Sequence, residues 1–300
     1  MVTLKKRFGL FRHPQIRQHI AQLDAQQDCQ TIVRLLAQYE FPHDIQHALE
    51  LALFYTYGSR SVSKLLHKTG EFARAGQKRY DDTRILIGLM LESGWDGEFG
   101  RQAMARMNQT HGHYRIHNDD FLFVLWTFIE FPIRWSVQYS HRPMTAHEQL
   151  AWFHFWRGIG ERMNLQHIPT SKAEFDAWVK RYEWCEMWPN DDNHTVANQT
   201  AAIMEAWLPP PLRPAVKMAV RGLMDDHFLY AIGYPAAPTW LKQSCRLGLK
   251  AAMRLYIPAF WQGYPLEAVK SRNPYDQQAM RAVHQIAPER LKRLDTRSPS

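Results

Sequence analysis

The chain has 300 residues, 45% of them hydrophobic and 13% aromatic, enough to bury a large core, which excludes a disordered chain and a disulfide-stapled miniprotein. Its three cysteines, Cys29, Cys185 and Cys245, lie far apart with no Cys-x-x-Cys pair, so neither a disulfide framework nor a structural zinc cage is supported and the thiols read as reduced. A formal charge of +8 invites an anionic partner, but the basic residues crowd at the two ends (Lys5, Lys6, Arg7, Arg12; Arg290, Lys292, Arg293), which argues against nucleic acid and leaves peripheral contact with an anionic membrane as a charge argument only.

The start, MVTLKKRFGLFRHPQIRQHI, has the positive charge of an export signal but no apolar stretch and no small-residue cleavage site, so the expected location is cytoplasmic. Beyond it strand signals are poor: alternating runs rich in Val, Ile and Thr are missing, and no Asn-Gly or Asp-Gly sits between such runs. Helix starts recur instead. Pro14, Pro42, Ser59, Asn118, Thr145, Ser171, Asp191 and Pro210 each stand at or near the head of a stretch with apolar residues spaced by three and four. The helices so predicted cover 14–24, 42–54, 59–69, 71–92, 98–112, 118–137, 145–164, 171–188, 191–207, 210–231 and 238–256. Gly70, Gly94 and Gly233 with Pro235 supply stops. Thr145 and Glu148 form Thr-x-x-Glu, a capping box in which hydroxyl and carboxylate satisfy amide donors that the helix itself cannot. The most apolar stretch, Phe121–Ile133, is broken by Glu130 and Pro132 and falls short of the roughly 20 residues that span a bilayer, so it predicts a core helix. The fold class is all-α, a single multi-helix domain. Three segments are expected within it: an N-terminal helical extension (1–70) packed on the core, the core itself (71–260), and a partly helical C-terminal tail (261–300).

Fifteen histidines prompt a search for metal sites. His43 and His47 share the four-residue spacing of a zincin helix, but Asp44 stands where a glutamate is expected and no third ligand follows, so they read as a surface pair. A carboxylate-bridged di-iron bundle needs Glu-x-x-His on each of two helices, which the chain does not supply. In the stretch 99–120, Met104, Met107 and His111 stand at i, i+3 and i+7 with Ala103 alongside, so His111 continues an apolar stripe and points inward, while His113 faces away. Such an imidazole is either a satisfied core histidine or the axial ligand of a haem pocket whose macrocycle is packed by methionines. Arg79 and Thr83, four apart and in line with Leu86 and Met90, open an otherwise apolar face. The arginine wants an anion: Asp81, Asp82 or another acid on one reading, a haem propionate or a distal-pocket role on the other. Trp152, Trp156, Ile159 and Met163 follow helical spacing and read as core, or as one wall of a hydrophobic channel. Asp225-Asp226-His227 reads as structural, and nucleophile-elbow, phosphate-loop and dinucleotide motifs are absent.

In order, KRYDDT (78–83), MNQTHGHY (107–114), IHNDDFLFVLWTF (116–128), RPMTAHE (142–148) and GERMNLQHIP (160–169) resemble the rubber oxygenase (latex-clearing protein)/MpaB oxygenase family, in its bacterial cytoplasmic branch. The resemblance runs from about Lys78 to Pro258, and the order of five short motifs makes it specific. It implies an all-helical haem-binding catalytic core around haem b, O2 as co-substrate, and a hydrophobic, unsaturated, isoprenoid- or lipid-like substrate. It places the iron ligand on His111, the family's Arg-x-x-x-Thr on Arg79 and Thr83 at the distal side, and Asn118 and Asp120 in helix capping and pocket support. Met104 and Met107 join His111 and Arg79 as the expected haem-contacting set. One departure bears on substrate: Asp82 stands where rubber-cleaving members carry a lysine able to cap the iron, so lysine capping and polyisoprene are not expected. The alternative is a non-catalytic haem- or hydrophobic-ligand-binding helical protein.

Overall fold

The computed structural model describes residues 14–255 and 282–286 together with Pro288 and Leu291, and among these every regular element is a helix. The first helix, α1 (Pro14–Ile20), is shorter than predicted because Asp24 turns the chain, its carboxylate accepting from the amides of Gln26 (2.9 Å) and Gln27 (2.7 Å). The next, α2 (Cys29–Leu35), has no counterpart among the predicted stretches, and its capping position shows why: the Asp28 carboxylate accepts from the Asp24 amide (2.9 Å) and caps nothing. A π-helical turn (Leu36–Glu40) leads into α3 (Pro42–Thr56).

There follow α4 (Arg60–Thr69), α5 (Glu71–Ser93), α6 (Glu98–Gly112), α7 (Asn118–Gln138), α8 (Ala146–Arg162), α9 (Lys172–Glu186) and α10 (Asp191–Ala206), each ending close to its predicted limits. Local capping explains that agreement. Ser59, Thr145 and Ser171 accept from the amides of Val62 (3.5 Å), Glu148 (3.2 Å) and Glu174 (3.2 Å), and Glu148 returns the contact to the Thr145 amide (2.8 Å) to complete the box. Gly70 (φ 67°) and Gly94 (φ 65°) terminate α4 and α5 in the left-handed region that other residues avoid.

Two predictions are corrected. The single helix expected over 210–231 is a 3-10 turn (Pro210–Leu212), α11 (Pro214–Leu223) and α12 (Asp226–Ala231), because Met224 is extended and Asp225 caps a new helix through the Phe228 amide (2.8 Å). Asn118 is not a cap: His117 holds that position, and the Asn118 side chain pairs with the backbone of Gln166 in both directions (3.0 and 2.8 Å), tying the loop after α8 to the start of α7. The last long helix is α13 (Thr239–Leu255). Most of the expected tail lies outside the described residues, but Val283 and Ile286 are buried, and the Ile286 carbonyl accepts from Arg106 of α6.

Helix α3 lies along α7, and α5 along α6. Residues of α1 to α3 share one buried cluster with those of α5 to α10, in which Trp152, Trp156, Phe54, Phe123 and Phe155 are fully enclosed. Pro132 inside α7 deprives the Phe128 carbonyl of its helical donor, and the buried indole of Trp152 donates to that carbonyl instead (3.0 Å). Buried charge is paired: Arg142 bridges Glu40 (2.7 Å) and Glu148 (2.7 Å) while lying over the Phe41 ring, and Asp44 accepts from the Trp135 indole (3.0 Å) and from Ser140 (2.5 Å). Helix α5 breaks at Ala75 (φ −148°, ψ 48°), where Gly76 passes so close to Ile203 of α10 that a Cβ there would sit 2.6 Å from its methyl group. Among the described residues no helix is long and apolar enough to cross a membrane.

Candidate functional site

Helices α3 to α8 and α10 enclose an apolar chamber of about 260 Å³, with Ile286 and Pro288 completing the wall. Its polar groups come mainly from the hairpin of α5 and α6. A four-residue turn joins these helices, and Gly100 lies against the Gly94 carbonyl, where any side chain would collide with the backbone. The close turn fixes the register that brings Arg79 of α5 and His111 of α6 to one chamber.

His111 stands in the last turn of α6 with its ring against Phe121 (centroids 5.2 Å apart). Its Nδ1 is buried and has no hydrogen-bond partner among the described residues. Burial, reinforced by the positive charge of Arg79, pushes its pKa down to about 4, so the imidazole is neutral at pH 7. A neutral imidazole on an apolar wall has the donor chemistry that an iron porphyrin requires, and the unpartnered Nδ1 adds a buried polar atom without local use. Trp156 contributes a second: its indole nitrogen is buried and unpartnered on the same chamber.

Arg79 donates to the Thr83 hydroxyl, which in turn donates to the Arg79 carbonyl (3.1 Å). Its guanidinium lies 5.9 Å from the centre of the Phe72 ring. The ion pair with Asp81 or Asp82 weighed from the sequence does not form. Asp82 accepts from Lys78 (2.6 Å), and Asp81 from Gln77 (3.1 Å) with Arg84 at 3.6 Å. Among the described residues no carboxylate pairs with Arg79, so a cation faces the chamber with a hydroxyl as its side-chain partner.

Of the two methionines, Met107 lines the chamber, whereas Met104 is buried in the core behind it and is not part of the lining. Trp156, Ile159 and Met163 form one wall, while Trp152 belongs to the core. Met90, in line with Arg79 and Thr83, also reaches the lining, as does Met204 of α10. Asp120 supports the site from its edge: it accepts from Ser61 and from Tyr182 (2.6 Å), joining the starts of α4 and α7 to α9. His113 is exposed, and among the described residues no group of three His, Cys, Asp or Glu side chains gathers to hold a metal ion.

Sequence reasoning missed Glu50 of α3, which lines the chamber and accepts from Tyr80 (2.5 Å), Gln46 (3.1 Å) and His47 (3.1 Å). Burial pushes its carboxyl up, but the hydrogen bond and charge of His47, with Tyr80 and Gln46, outweigh this and hold it below the usual glutamate range. Burial would lower His47, but Glu50 raises it, so the two form an ion pair whose histidine end is half-exposed. Glu50, Leu53, Tyr80 and Ile87 separate the chamber from a smaller cavity of about 50 Å³. The pairing of Glu50 with Tyr80 spans thirty residues, and no local spacing signals it.

A family model described as "ER-bound oxygenase mpaB/B'/Rubber oxygenase, catalytic domain" matches residues 67–256. The chain is 31% identical over 216 residues to ER-bound oxygenase mpaB of Penicillium roqueforti, covering 66% of this chain and 72% of that protein. Against ER-bound oxygenase mpaB' of Penicillium brevicompactum it is 31% identical over 228 residues, covering 70% and 54%. Against mpaB of the same species it is 31% identical over 191 residues, covering 58% and 49%, so the chain spans about half the length of these two relatives.

Proposed function

Because the chain belongs to the mpaB/rubber oxygenase catalytic-domain family, and is thereby an oxidoreductase, we propose that it is a haem b-dependent oxygenase acting on a hydrophobic, unsaturated, isoprenoid- or lipid-like substrate with O2. The observation that carries the reading is the neutral imidazole of His111 on the wall of an apolar chamber. His111 would hold the iron, Met107 would pack against the macrocycle, and the guanidinium of Arg79 would be available to a propionate or to the bound oxygen substrate. When bound, the haem supplies O2 activation and transfer of oxygen to a substrate carbon.

The chain's own residues supply the rest. Trp156, Ile159, Met163 and Leu125 exclude water and give an alkene an apolar bed. Arg79, oriented by Thr83, offers the chamber a fixed donor and positive charge that stabilise developing negative charge, and burial together with that charge keeps a proton off His111. Glu50 holds the Tyr80 proton at the chamber wall. Asp82, held by Lys78, stands where rubber-cleaving members carry a lysine, and that replacement speaks against polyisoprene as substrate. The free thiols of Cys29, Cys185 and Cys245 support a reducing, cytoplasmic compartment.

Protein purified from haem-supplemented cells should show a Soret band and one haem per chain by pyridine haemochrome assay, and His111→Ala should lose the haem or its native spectrum. Full retention of both by the variant refutes the ligand assignment. Oxygen uptake with unsaturated lipids separates turnover from the second reading, a haem or hydrophobic-ligand carrier, which the replacement of the family's lysine by Asp82 favours.

A further inference from the structure

Helix α13 covers only half of its apolar face. At about 100° per residue, Leu241, Cys245, Leu249 and Met253 form an inner stripe, with Leu241 and Met253 buried and Leu249 packed beside Trp135 of α7 and Tyr139 just after it. The inner stripe also fits tightly to α11, where a Cβ on Gly222 would sit 2.4 Å from the Cys245 sulfur. The adjoining stripe, Trp240, Ser244, Leu247 and Ala251, faces outward, with Trp240 61% and Leu247 68% exposed. Lys250 and Arg246 occupy the next sector round, and among the described residues neither has an ion-pair partner.

Charge along this part of the chain is predominantly positive. From Ala206 to Leu266 the acids are Asp225 and Asp226 alone, against Arg213, Lys217, Arg221, Lys242, Arg246, Lys250 and Arg254. Both acids are engaged, Asp225 as the cap of α12 and Asp226 with Lys242 (2.8 Å). An exposed tryptophan and leucine beside uncompensated cations match the two requirements of interfacial binding, apolar insertion and attraction to anionic headgroups. A second exposed aromatic group, Trp184, Trp188 and Tyr230, lacks the second requirement, because Glu183, Glu186, Asp191 and Asp192 surround it in sequence.

We infer that the outer face of α13 docks on an anionic phospholipid bilayer, with Trp240 and Leu247 entering the headgroup region and Arg246 and Lys250 binding lipid phosphates. The inference is independent of haem. It also differs from a purely electrostatic attraction of the basic chain ends, because it requires the two apolar side chains.

The test is co-sedimentation of the full chain with vesicles of phosphatidylcholine and phosphatidylserine in equal parts, and with phosphatidylcholine alone. Binding is expected to the mixed vesicles only. Trp240→Ser with Leu247→Ser should weaken it about tenfold or more, and Arg246→Glu with Lys250→Glu at least about fivefold per charge, while Trp184→Ser leaves it unchanged. Trp184, Trp240, Arg246 and Leu247 are exposed and Lys250 is partly buried, and circular dichroism checks that the variants remain folded. Failure to bind the mixed vesicles at low salt, or equal binding by both double variants, overturns the inference and in the latter case assigns the attraction to the chain ends. A concentration-dependent dimer abolished by Leu247→Ser, without vesicle binding, overturns it in favour of a second copy of the chain.

Discussion

Replacing Trp152 by phenylalanine keeps an aromatic ring in the core but removes the only group described as donating to the Phe128 carbonyl, which Pro132 leaves without a helical partner. Orphaning a buried carbonyl costs about 1–3 kcal/mol. The smaller ring adds about 1 kcal/mol for its cavity, at ~24 cal/mol per Å³, so the total loss is roughly 2–4 kcal/mol. In a Pro132→Ala background the residue at 132 regains an amide that can serve the same carbonyl, and the cost of Trp152→Phe should shrink to the cavity contribution. Urea unfolding of the wild type, both single variants and the double variant reads the coupling, expected at about 1–3 kcal/mol. If the two losses add within about 0.3 kcal/mol, the indole does not substitute for the missing amide and the account of α7 is wrong.

The His47–Glu50 pair sets a pH dependence with a definite sign. Glu50, depressed below its ordinary 4.5, contributes stability present above that pH and lost as pH falls through its folded value, while His47, raised above 6.5, contributes stability lost as pH rises past that point. Glu50→Gln should therefore flatten the stability profile above pH 6.5, and an unchanged slope would show that the pair is not formed. Arg79→Met removes the charge that helps depress His111, so in haem-free protein the imidazole should titrate above its present value of about 4 by NMR, and a lower midpoint would contradict the geometry. Arg142→Met leaves Glu40 and Glu148 buried without their cation and should cost about 3–5 kcal/mol in thermal or urea unfolding; a neutral result would mean that the carboxylates find other partners.

What could be read from the sequence follows the range of the interactions that fix each feature. Caps and stops act within four residues, so Ser59, Thr145, Ser171 and Gly70 placed their helix ends correctly, and α2 escaped because Asp28 spends its carboxylate on Asp24 instead. The outward turn of His113 and the shared face of Arg79, Thr83 and Met90 follow from helical period alone. Helical period does not give the rotation of a helix within its neighbours, and so Met104 sits behind the chamber while Met107 lines it. Contacts between distant segments carry no local mark: Tyr80 with Glu50, Trp152 with the Phe128 carbonyl, Trp135 and Ser140 with Asp44. The partner of Arg79 carries no local mark either, because Lys78 takes Asp82 and leaves the guanidinium to the Thr83 hydroxyl.

The break at Ala75 bears on how local opening spreads through α5. Helical order propagates by cooperativity between successive turns, and an interrupted turn transmits it weakly. Unwinding that begins at Glu71, at the corner with α4, therefore meets a boundary before it reaches Arg79, and the segment carrying Arg79, Thr83 and Leu86 behaves as a separate cooperative unit anchored by α6 and α10. Opening at the α4–α5 corner should therefore leave the guanidinium and hydroxyl in register against His111.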